Sequence, residues 1–412
     1  MPSKRILITG LSTFWGGRLA QALERDPEVE TVIGVDRRPP KVELARTEYV
    51  RVADRRSLIR RIVEAAEIDT VVDTRMVVDS IVTGRRVAHE NNVIGTMNVL
   101  AACGGPDSPV RKVVFKSSAH VYGAEQDDPA YFTESMRRRH PPRTWLERDI
   151  VEAEDAVAEF AARHPDRTVT ALRFANSLGR GVRSAPMELL GLPAIPAILG
   201  FDPRVQVLHR DDLAGCLEHA VRHDLDGPYN CAADGVLVLS EVASLLGKPL
   251  APVLPPWGTG AAAAAVRQVG IRLPPEQLNL LRFGRALDNR RFKATGYRFR
   301  YTTRETVLAL RREQRLEPFV DRRAAYRYEE EVEEFLRRSP SVRAASQAPA
   351  DEPPANRPPG STGYDGLRAE ELMRLLPSLD RSDLEALREH EAGRAGRATV
   401  VGAIDRLLAA QR

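Results

Sequence analysis

The chain has 412 residues, of which 43% are hydrophobic and 29% are charged. This composition is that of an ordinary globular protein, and it excludes collagen-like, wholly disordered and coiled-coil chains. The 61 Lys and Arg residues nearly balance the 57 Asp and Glu residues, which leaves a formal charge of +4. That balance argues against nucleic-acid binding, because such binding depends on a strongly basic surface.

The cysteines and the most apolar stretch indicate the compartment. Cys103, Cys216 and Cys231 are isolated in the sequence, which suits a reducing environment, and no histidine or cysteine has the spacing of a metal site. No signal peptide precedes the first predicted strand, and the stretch 185–201 is interrupted by Glu188, Pro193 and Pro196. We therefore predict a cytoplasmic protein without a metal site or a transmembrane segment.

Short apolar strands alternate with longer helical patterns in the first third of the chain, which is typical of a parallel α/β sheet. The pattern predicts strands at residues 5–9, 31–35, 49–52, 69–72, 111–115 and 168–172. It also predicts helices at 16–23, directly after the first strand, and at about 145–162, between the last two strands. Together these elements predict a Rossmann-like, doubly wound parallel sheet.

The composition changes twice in the remainder of the chain. Residues 1–178 form the predicted dinucleotide-binding core, and from 179 to 338 the mixed pattern predicts mainly a small α/β substrate lobe. Residues 339–363 are rich in Pro, Ser and Ala and bury too little apolar surface to fold, so we predict a disordered linker. Apolar residues at helical spacing in 364–412 predict three short helices, whose small size favours docking to a partner or self-association.

A glycine-containing turn joins the first strand to the first helix. Gly10 and Gly16 hold the first and last positions of a TGxxGxxG spacing, and Thr13 holds the middle position. Such a turn brings the backbone close to a pyrophosphate at the helix N-terminus, although a side chain at Thr13 crowds that approach. We expect Phe14 and Trp15 to border the cofactor here, while helix–sheet packing explains Trp15 equally well. The alternative is an empty cleft whose glycines serve only the turn.

Asp36 ends the second predicted strand. A carboxylate at this place accepts hydrogen bonds from the adenosine ribose and repels a 2′-phosphate, so NAD is favoured over NADP. Arg37 and Arg38 follow directly and weaken this preference, because they attract phosphate.

Seven segments, taken in order, carry a family resemblance over about residues 4–310. They read TGLSTFWGG, GVDRR, NNVIGTMNVL, SSAHVYG, LRFANSLG, VLHRDDLAG and GPYNCAADG. In these segments the chain resembles the extended short-chain dehydrogenases/reductases of the NAD-dependent epimerase/dehydratase family, and it is similar to UDP-glucose 4-epimerases. The resemblance implies NAD as cofactor, a nucleotide sugar as ligand and a homodimer.

The resemblance also assigns roles to individual positions. Asp54 would contact the adenine, and Asn92 would lie near the active site on the cofactor side. Ser118 would be the catalytic serine, Asn176 would line the nucleotide-sugar side, and Asp212 would belong to the substrate lobe.

The proton-transfer pair of this family is absent from the chain. In the family, a Tyr and a Lys stand four residues apart on one helix face, and a glutamate follows four residues later. Glu154 holds the last of these positions, but the two before it are Leu146 and Ile150. No lysine lies between Lys116 and Lys248, so no shift of register restores the pair.

A second departure follows the fourth predicted strand, where the family has a His and small residues against the cofactor. This chain instead reads VVDTRM, which places Asp73 and Arg75 near the expected path of the dinucleotide. Arg75 either clamps a pyrophosphate or fills the cleft and pairs with Asp73.

Ser118 and Tyr122 remain as candidate catalytic residues. If the strand continued, Ser118, His120 and Tyr122 would share one face, and Tyr122 would be available as a relocated acid or base. The alternative is a packed, hydrogen-bonded tyrosine and a serine that satisfies backbone groups.

Two functions follow from these alternatives. The first is an NAD-dependent nucleotide-sugar epimerase or dehydratase that uses non-standard acid/base residues. The second is a non-catalytic protein, a pseudoenzyme, that keeps the fold to bind NAD or a nucleotide sugar and recruits partners through its C-terminal helices.

Overall fold

The computed structural model describes residues 3–52, 56–105, 107–254 and 274–316, together with 376, 384–385, 387–389 and 398–410. The chain divides into two compact units, Met1–Pro318 and Phe319–Arg412. No helix in these ranges is both long and apolar enough to cross a membrane. Asp54 and the predicted linker at 339–363 lie outside the described residues.

The strands of the first unit follow one another in a regular α/β pattern. They are β1 (Arg5–Thr9), β2 (Thr31–Asp36), β3 (Glu48–Arg51), β4 (Thr70–Asp73), β5 (Lys112–Ser118), β6 (Thr168–Phe174), β7 (Asn176–Leu178), β8 (Ile195–Ile198), β9 (Arg204–Val205), β10 (Val207–His209), β11 (Gly227–Cys231), β12 (Leu237–Val238) and β13 (Leu250–Leu254).

The helices alternate with these strands. They are α1 (Phe14–Leu23), α2 (Arg56–Ala65), α3 (Arg85–His89), α4 (Thr96–Cys103), α5 (Trp145–Arg163), α6 (Ala185–Gly191), α7 (Arg210–Arg222), α8 (Leu239–Leu246), α9 (Pro275–Phe283), α10 (Arg290–Ala294), α11 (Thr303–Leu316) and, in the second unit, α12 (Ala398–Ala410). A π-helical segment, Glu90–Gly95, connects α3 to α4.

Seven of the strands form one sheet in the order β11-β6-β5-β4-β1-β2-β3. All neighbouring pairs in this sheet are parallel, which confirms the predicted doubly wound sheet. The order reverses at β1, and the carboxyl ends beside such a switch point form the usual ligand crevice of open α/β sheets. Strand β11 lies at the sheet edge, so the chain returns to the core after entering the small lobe.

Two strands extend further than the sequence pattern predicts. β5 continues to Ser118 and β6 to Phe174, beyond the predicted ends at 115 and 172. The polar residues Lys116 and Ser117 interrupt the apolar run of β5, but both are buried in the sheet. Periodicity cannot detect this, because a polar residue reads as solvent-exposed.

Local sequence signals determine where the helices flanking the site begin. Thr13 is the N-cap of α1, and its hydroxyl oxygen accepts a hydrogen bond from the Gly16 amide. Helix α1 therefore begins at Phe14, two residues before the prediction. Helix α5 begins at Trp145, where Thr144 and Glu147 form a capping box.

Hydrophobic clusters cover both faces of the sheet and fill the small lobe. One cluster joins sheet residues to α4 and α5, and a second joins the opposite sheet face to α1 and α7. A third cluster forms the core of the small lobe and includes Leu178, Leu189, Ile195, Leu239 and Val307.

The second unit has a small apolar cluster of its own. In α12, Val400 and Ile404 are fully buried and belong to one cluster with Leu376 and Leu384. Helix α12 agrees with the last of the three predicted helices, whereas much of 364–397 lies outside the described residues.

Candidate functional site

The turn between β1 and α1 is closed by its own residues. Gly10 has φ +83°, and a Cβ on Gly16 would lie 2.2 Å from the Gly10 carbonyl oxygen. The Thr13 hydroxyl donates to that same oxygen at 2.7 Å while it accepts from the Gly16 amide at 3.0 Å. The Thr13 side chain is thus held within the turn.

The first turn of α1 supplies donors for an anion. The amides of Phe14 and Trp15 have no acceptor within the helix, and the helix dipole favours negative charge at this end. The Phe14 ring borders the loop after β7, since a Cβ on Gly181 would lie 3.0 Å from it. Trp15 packs against the core beneath α1, as the packing alternative predicts.

The Asp36 carboxylate is fixed at the carboxyl end of β2. One oxygen accepts from the Ser12 amide at 2.9 Å and the Ser12 hydroxyl at 2.7 Å. The other accepts from the Arg37 amide at 2.6 Å, and the Arg37 guanidinium lies 3.8 Å from Glu90. The negative charge of Asp36 is therefore oriented beside the turn by backbone donors.

Arg75 pairs with Asp73 at the carboxyl end of β4. Their contacts are bidentate, at 3.0 Å (Nε–Oδ1) and 2.8 Å (Nη2–Oδ2), and both side chains are buried. Burial works to raise the pKa of Asp73, but the Arg75 guanidinium holds that pKa below its usual range. The Arg75 side chain lies between Gly10 and Gly95, each of which would place a Cβ 2.6 Å from one of its atoms. The geometry thus favours the ion pair over a free clamp.

The extended strand conformation expected after Ser118 does not continue. Strand β5 ends at Ser118, and Ala119–Val121 form a 3-10 turn, so Ser118, His120 and Tyr122 do not share a strand face. That expectation was wrong because the chain turns where it leaves the sheet. The Ser118 hydroxyl oxygen accepts from the His120 amide at 3.3 Å.

Tyr122 lies in a buried polar network. Its hydroxyl donates to the Asn230 side-chain oxygen at 2.8 Å and accepts from Arg173 at 2.7 Å. Its ring stacks on Phe132 with 4.7 Å between centroids. Burial raises the pKa of Tyr122 to about 12, despite the neighbouring arginine.

Helix α5 presents apolar residues at the two positions that the family resemblance assigns to Tyr and Lys. Leu146 and Ile150 are fully buried in the core cluster on this side of the sheet. Glu154, one turn further on, hydrogen-bonds Ser117 and pairs with Arg173. This helix face therefore packs the interior and carries no ionisable group at the two positions.

The Asn92 side chain forms its hydrogen bonds with backbone groups. It is fully buried in the π-helical segment, where its side chain accepts from the Val77 amide at 2.7 Å and donates to the Val77 carbonyl at 2.8 Å. These two bonds hold the chain that leaves β4.

A cleft in the small lobe combines apolar walls with two arginines. Its lining includes Ala119, which follows Ser118, together with Asn176, Arg204 and Arg285. The buried Arg285 guanidinium donates to the Gly123 carbonyl at 3.0 Å, and burial lowers its pKa to about 10. Within the described ranges no carboxylate forms an ion pair with it, and the buried Nε of Arg204 has no hydrogen-bond partner.

Sequence reasoning missed Arg204 and Arg285, because nothing local distinguishes them in an arginine-rich chain. The part of the chain that the structure describes holds no cluster of His, Cys, Asp and Glu side chains that could bind a metal ion.

Comparison with sequences places the chain in a family. The profile of the NAD dependent epimerase/dehydratase family matches residues 6–232. An uncharacterised protein of Mycobacterium tuberculosis is 35% identical over 325 residues, which cover 77% of this chain and 86% of that protein. A UDP-glucose 4-epimerase of Yersinia enterocolitica is 31% identical over 103 residues, which cover 25% of this chain and 28% of its own length.

Solved structures share the fold at low sequence identity. The UDP-glucose 4-epimerase of Thermotoga maritima, solved with UDP-glucose, superposes with a TM-score of 0.58 at 17% identity, over 76% of this chain and 100% of its own. The UDP-glucuronic acid 4-epimerase of Bacillus cereus, solved with UDP-glucuronic acid and NAD, gives 0.58 at 15% identity, over 76% and 99%. From the matched profile, the 35% identical relative and this fold, the chain belongs to the NAD-dependent epimerase/dehydratase family.

Proposed function

We propose that the protein binds NAD at the carboxyl edge of the sheet and a nucleotide sugar in the arginine-lined cleft, without the proton exchange of a Tyr/Lys pair. The observation that carries the proposal is the cleft itself, in which Arg204 and Arg285 lie buried or half-buried without carboxylate partners among the described residues. Arginines that lie in an apolar setting without a carboxylate partner strongly favour the binding of an anionic ligand.

The residues around the first turn fit NAD. The Gly10–Gly16 turn and the first amides of α1 would hold the pyrophosphate, and Asp36 would accept from the adenosine ribose. Bound NAD would supply a hydride acceptor. Roles for Asp54 and Asn92 toward the cofactor rest on the family resemblance, and the bonds of Asn92 to Val77 support an indirect role.

The polar groups in the lining of the cleft suit the diphosphate and the sugar of a nucleotide sugar. Arg204 and Arg285 would contact the phosphates, since guanidinium groups bind phosphate bidentately. Asn176 would donate or accept at a sugar hydroxyl from its place in the lining. Relatives solved with UDP-glucose and UDP-glucuronic acid support this ligand class.

The non-catalytic alternative is favoured by the buried groups. The side chains of Leu146 and Ile150 carry no ionisable proton. The Tyr122 hydroxyl has both a hydrogen-bond donor and an acceptor within the interior, and its pKa is about 12. A group with such a pKa is poorly matched to proton exchange near neutral pH.

Ser118 favours the enzyme as a second candidate. It stands beside the cleft, and its hydroxyl accepts from a backbone amide, which leaves its own proton for a ligand. Conversion of a UDP-sugar that is lost in Ser118→Ala, but retained in Tyr122→Phe, would establish this candidate.

Calorimetry with NAD and NADP tests the cofactor site. We expect the wild type to bind NAD about tenfold more tightly than NADP, because Asp36 repels a 2′-phosphate. The double variant Asp73→Asn/Arg75→Met, which removes the ion pair without leaving a buried charge, should bind NAD with similar affinity. Binding by the double variant alone would mean that Arg75 fills the cleft, and binding by neither would refute the cofactor proposal.

Arg285→Met should weaken the binding of UDP-glucose by about 10- to 100-fold, because a charge-assisted contact to phosphate is lost. Titration calorimetry measures the dissociation constant, and thermal unfolding checks that the variant is folded. Arg290→Met is the matched control, since Arg290 is an exposed arginine paired with Asp288. Equal affinities for the two variants would contradict the assignment of the cleft.

A homodimer, a partner of the C-terminal helices and a cytoplasmic location remain predictions. Val87, Ile94 and Met97 are exposed apolar residues on the α3–α4 stretch, and they support a self-association surface there.

A further inference from the structure

Two buried lysines lie on the same face of β5 and differ in their surroundings. Lys112, at the amino end, pairs with Asp224 at 2.7 Å and donates to the carbonyls of Val221 at 2.9 Å and His223 at 3.1 Å. Lys116, near the carboxyl end, is 3% exposed and has no hydrogen bond or ion pair within the described ranges. The contacts of Lys112 account for its burial in the fold, whereas nothing in the fold accounts for the burial of the Lys116 amine without a partner.

The Asp73 carboxylate is the charged group that acts on Lys116, and it already has other partners. Asp73 acts on Lys116 through space, but its carboxylate is held by Arg75 and by the Thr9 hydroxyl. Burial lowers the pKa of Lys116 to about 8, so its amine exchanges a proton near neutral pH. Ionisable groups with this combination of burial and perturbation concentrate at ligand sites.

Strand order places Lys116 relative to the dinucleotide. The turn that would hold the pyrophosphate follows β1, and Asp36 ends β2. Strand β5 lies two strands from β1, on the side away from β2. At the usual strand spacing, the distance between β1 and β5 is about 10 Å. A dinucleotide with its first ribose at β2 and its pyrophosphate at β1 therefore extends its second ribose over β4 and β5.

Lys116 can reach that edge of the sheet. It is followed on the same strand face by Ser118, the last residue of β5, and the two are about 6.6 Å apart along the strand. An extended lysine side chain spans about this length, and lysines commonly carry their head group along an apolar surface toward a polar one.

We propose that Lys116 is a binding residue for the dinucleotide, and that its ammonium group donates to the hydroxyls of the second ribose. It would thereby supply from a strand the amine that the helix lacks at Ile150. The inference rests on the proposed NAD binding.

Other charged or titratable groups surround this face of the sheet, and the test must separate them from Lys116. They are Asp73 at the end of β4, Arg75 after that strand, His120 after β5, and Asp212 and Cys216 on α7. Burial lowers the pKa of His120 well below its ordinary value and raises that of Cys216 well above it. Burial also raises the pKa of the Asp212 carboxyl, which accepts hydrogen bonds from the Arg300 and Tyr301 amides.

The sign of the pH dependence follows from the form that binds. The ammonium form donates to the ribose, so affinity is full below the pKa of the free protein and is lost as the pH rises through it. Binding must then be accompanied by proton uptake near pH 8.

Calorimetry of the full chain with NAD, ADP-ribose and ADP tests the proposal between about pH 7 and about pH 9.5, in two buffers of different ionisation enthalpy. We expect affinity for NAD and ADP-ribose to fall about tenfold over this range, with proton uptake, and affinity for ADP to stay constant. Lys116→Met should bind NAD about tenfold more weakly near pH 7 and without pH dependence. It should unfold at the same or a higher temperature, because no partner is left unpaired.

Lys112→Met is the matched control from the same strand face. It should lower the unfolding temperature, because three contacts are lost, and keep the pH-dependent binding of NAD. Wild-type affinity that does not change with pH, or unchanged affinity in Lys116→Met, would overturn the proposal. The same pH dependence with ADP would refute the ribose contact in favour of a phosphate. Absence of NAD binding at every pH would refute the proposed cofactor site and this inference with it.

Discussion

Gly16→Ala is expected to abolish NAD binding and to lower the free energy of unfolding by about 3 kcal/mol. The new Cβ would lie 2.2 Å from the Gly10 carbonyl oxygen and 2.9 Å from its carbon. These are backbone atoms of a turn that the Thr13 hydroxyl holds by hydrogen bonds to Gly10 and Gly16. They cannot move away from the new Cβ unless the turn opens. Urea unfolding measures the stability, and calorimetry measures the affinity for NAD.

Gly84→Ala is the control for this prediction, since a Cβ there has no atom within 4 Å. It should change the stability by less than about 1 kcal/mol and leave NAD binding intact. A Gly16→Ala protein that is destabilised but binds NAD normally would separate the turn from the cofactor. An unchanged stability would show that the turn relaxes around the methyl group.

Arg173→Met is expected to lower the free energy of unfolding by about 3–5 kcal/mol, because it leaves Glu154 buried without its cation. The Arg173 side chain is 14% exposed and that of Glu154 is 10% exposed, so water cannot replace the lost partner. Arg173 also donates to the Tyr122 hydroxyl at 2.7 Å and to the Glu134 carbonyl at 3.1 Å. Urea unfolding of the purified variant provides the measurement.

Two controls isolate the buried charge. The double variant Arg173→Met/Glu154→Leu should recover much of the lost stability, since neither charge remains. Arg163→Met removes an exposed pair with Glu159 and should change the stability by less than about 0.5 kcal/mol. If the double variant is no more stable than Arg173→Met, loss of packing rather than an unpaired charge is the cause.

The course of the main chain was largely predictable from the sequence. Short apolar runs that alternate with longer helical patterns located the first six strands of the sheet, and Thr144 with Glu147 marks the start of α5 by a capping box. Such signals act within a few residues, so they are legible without knowledge of the fold. The predicted start of α1 at Gly16 is two residues late, because the Thr13 side chain acts as the N-cap and the helix begins directly after it.

Tertiary structure alone decided which polar residues meet. Tyr122 bonds Asn230, and the Gly123 carbonyl bonds Arg285, pairs separated by 108 and 162 residues in the chain. No periodicity connects such distant positions, so neither the partners of Tyr122 nor the arginines of the cleft could be predicted, although a packed, hydrogen-bonded Tyr122 was one of the two predicted alternatives. The choice of Arg75 between a ligand and Asp73 depends equally on packing against Gly10 and Gly95.

The sequence by itself determined the sheet, the glycine-containing turn after β1 and the family, because each depends on adjacent residues or on a fixed spacing. Burial decided the chemistry of the remaining groups. Lys112 and Lys116 are the same residue type on one face of one strand, yet three partners satisfy the first and none among the described residues satisfies the second. The difference arises because only the folded chain brings the segment at 221–224 to one end of β5, while the other end lies at the carboxyl edge of the sheet.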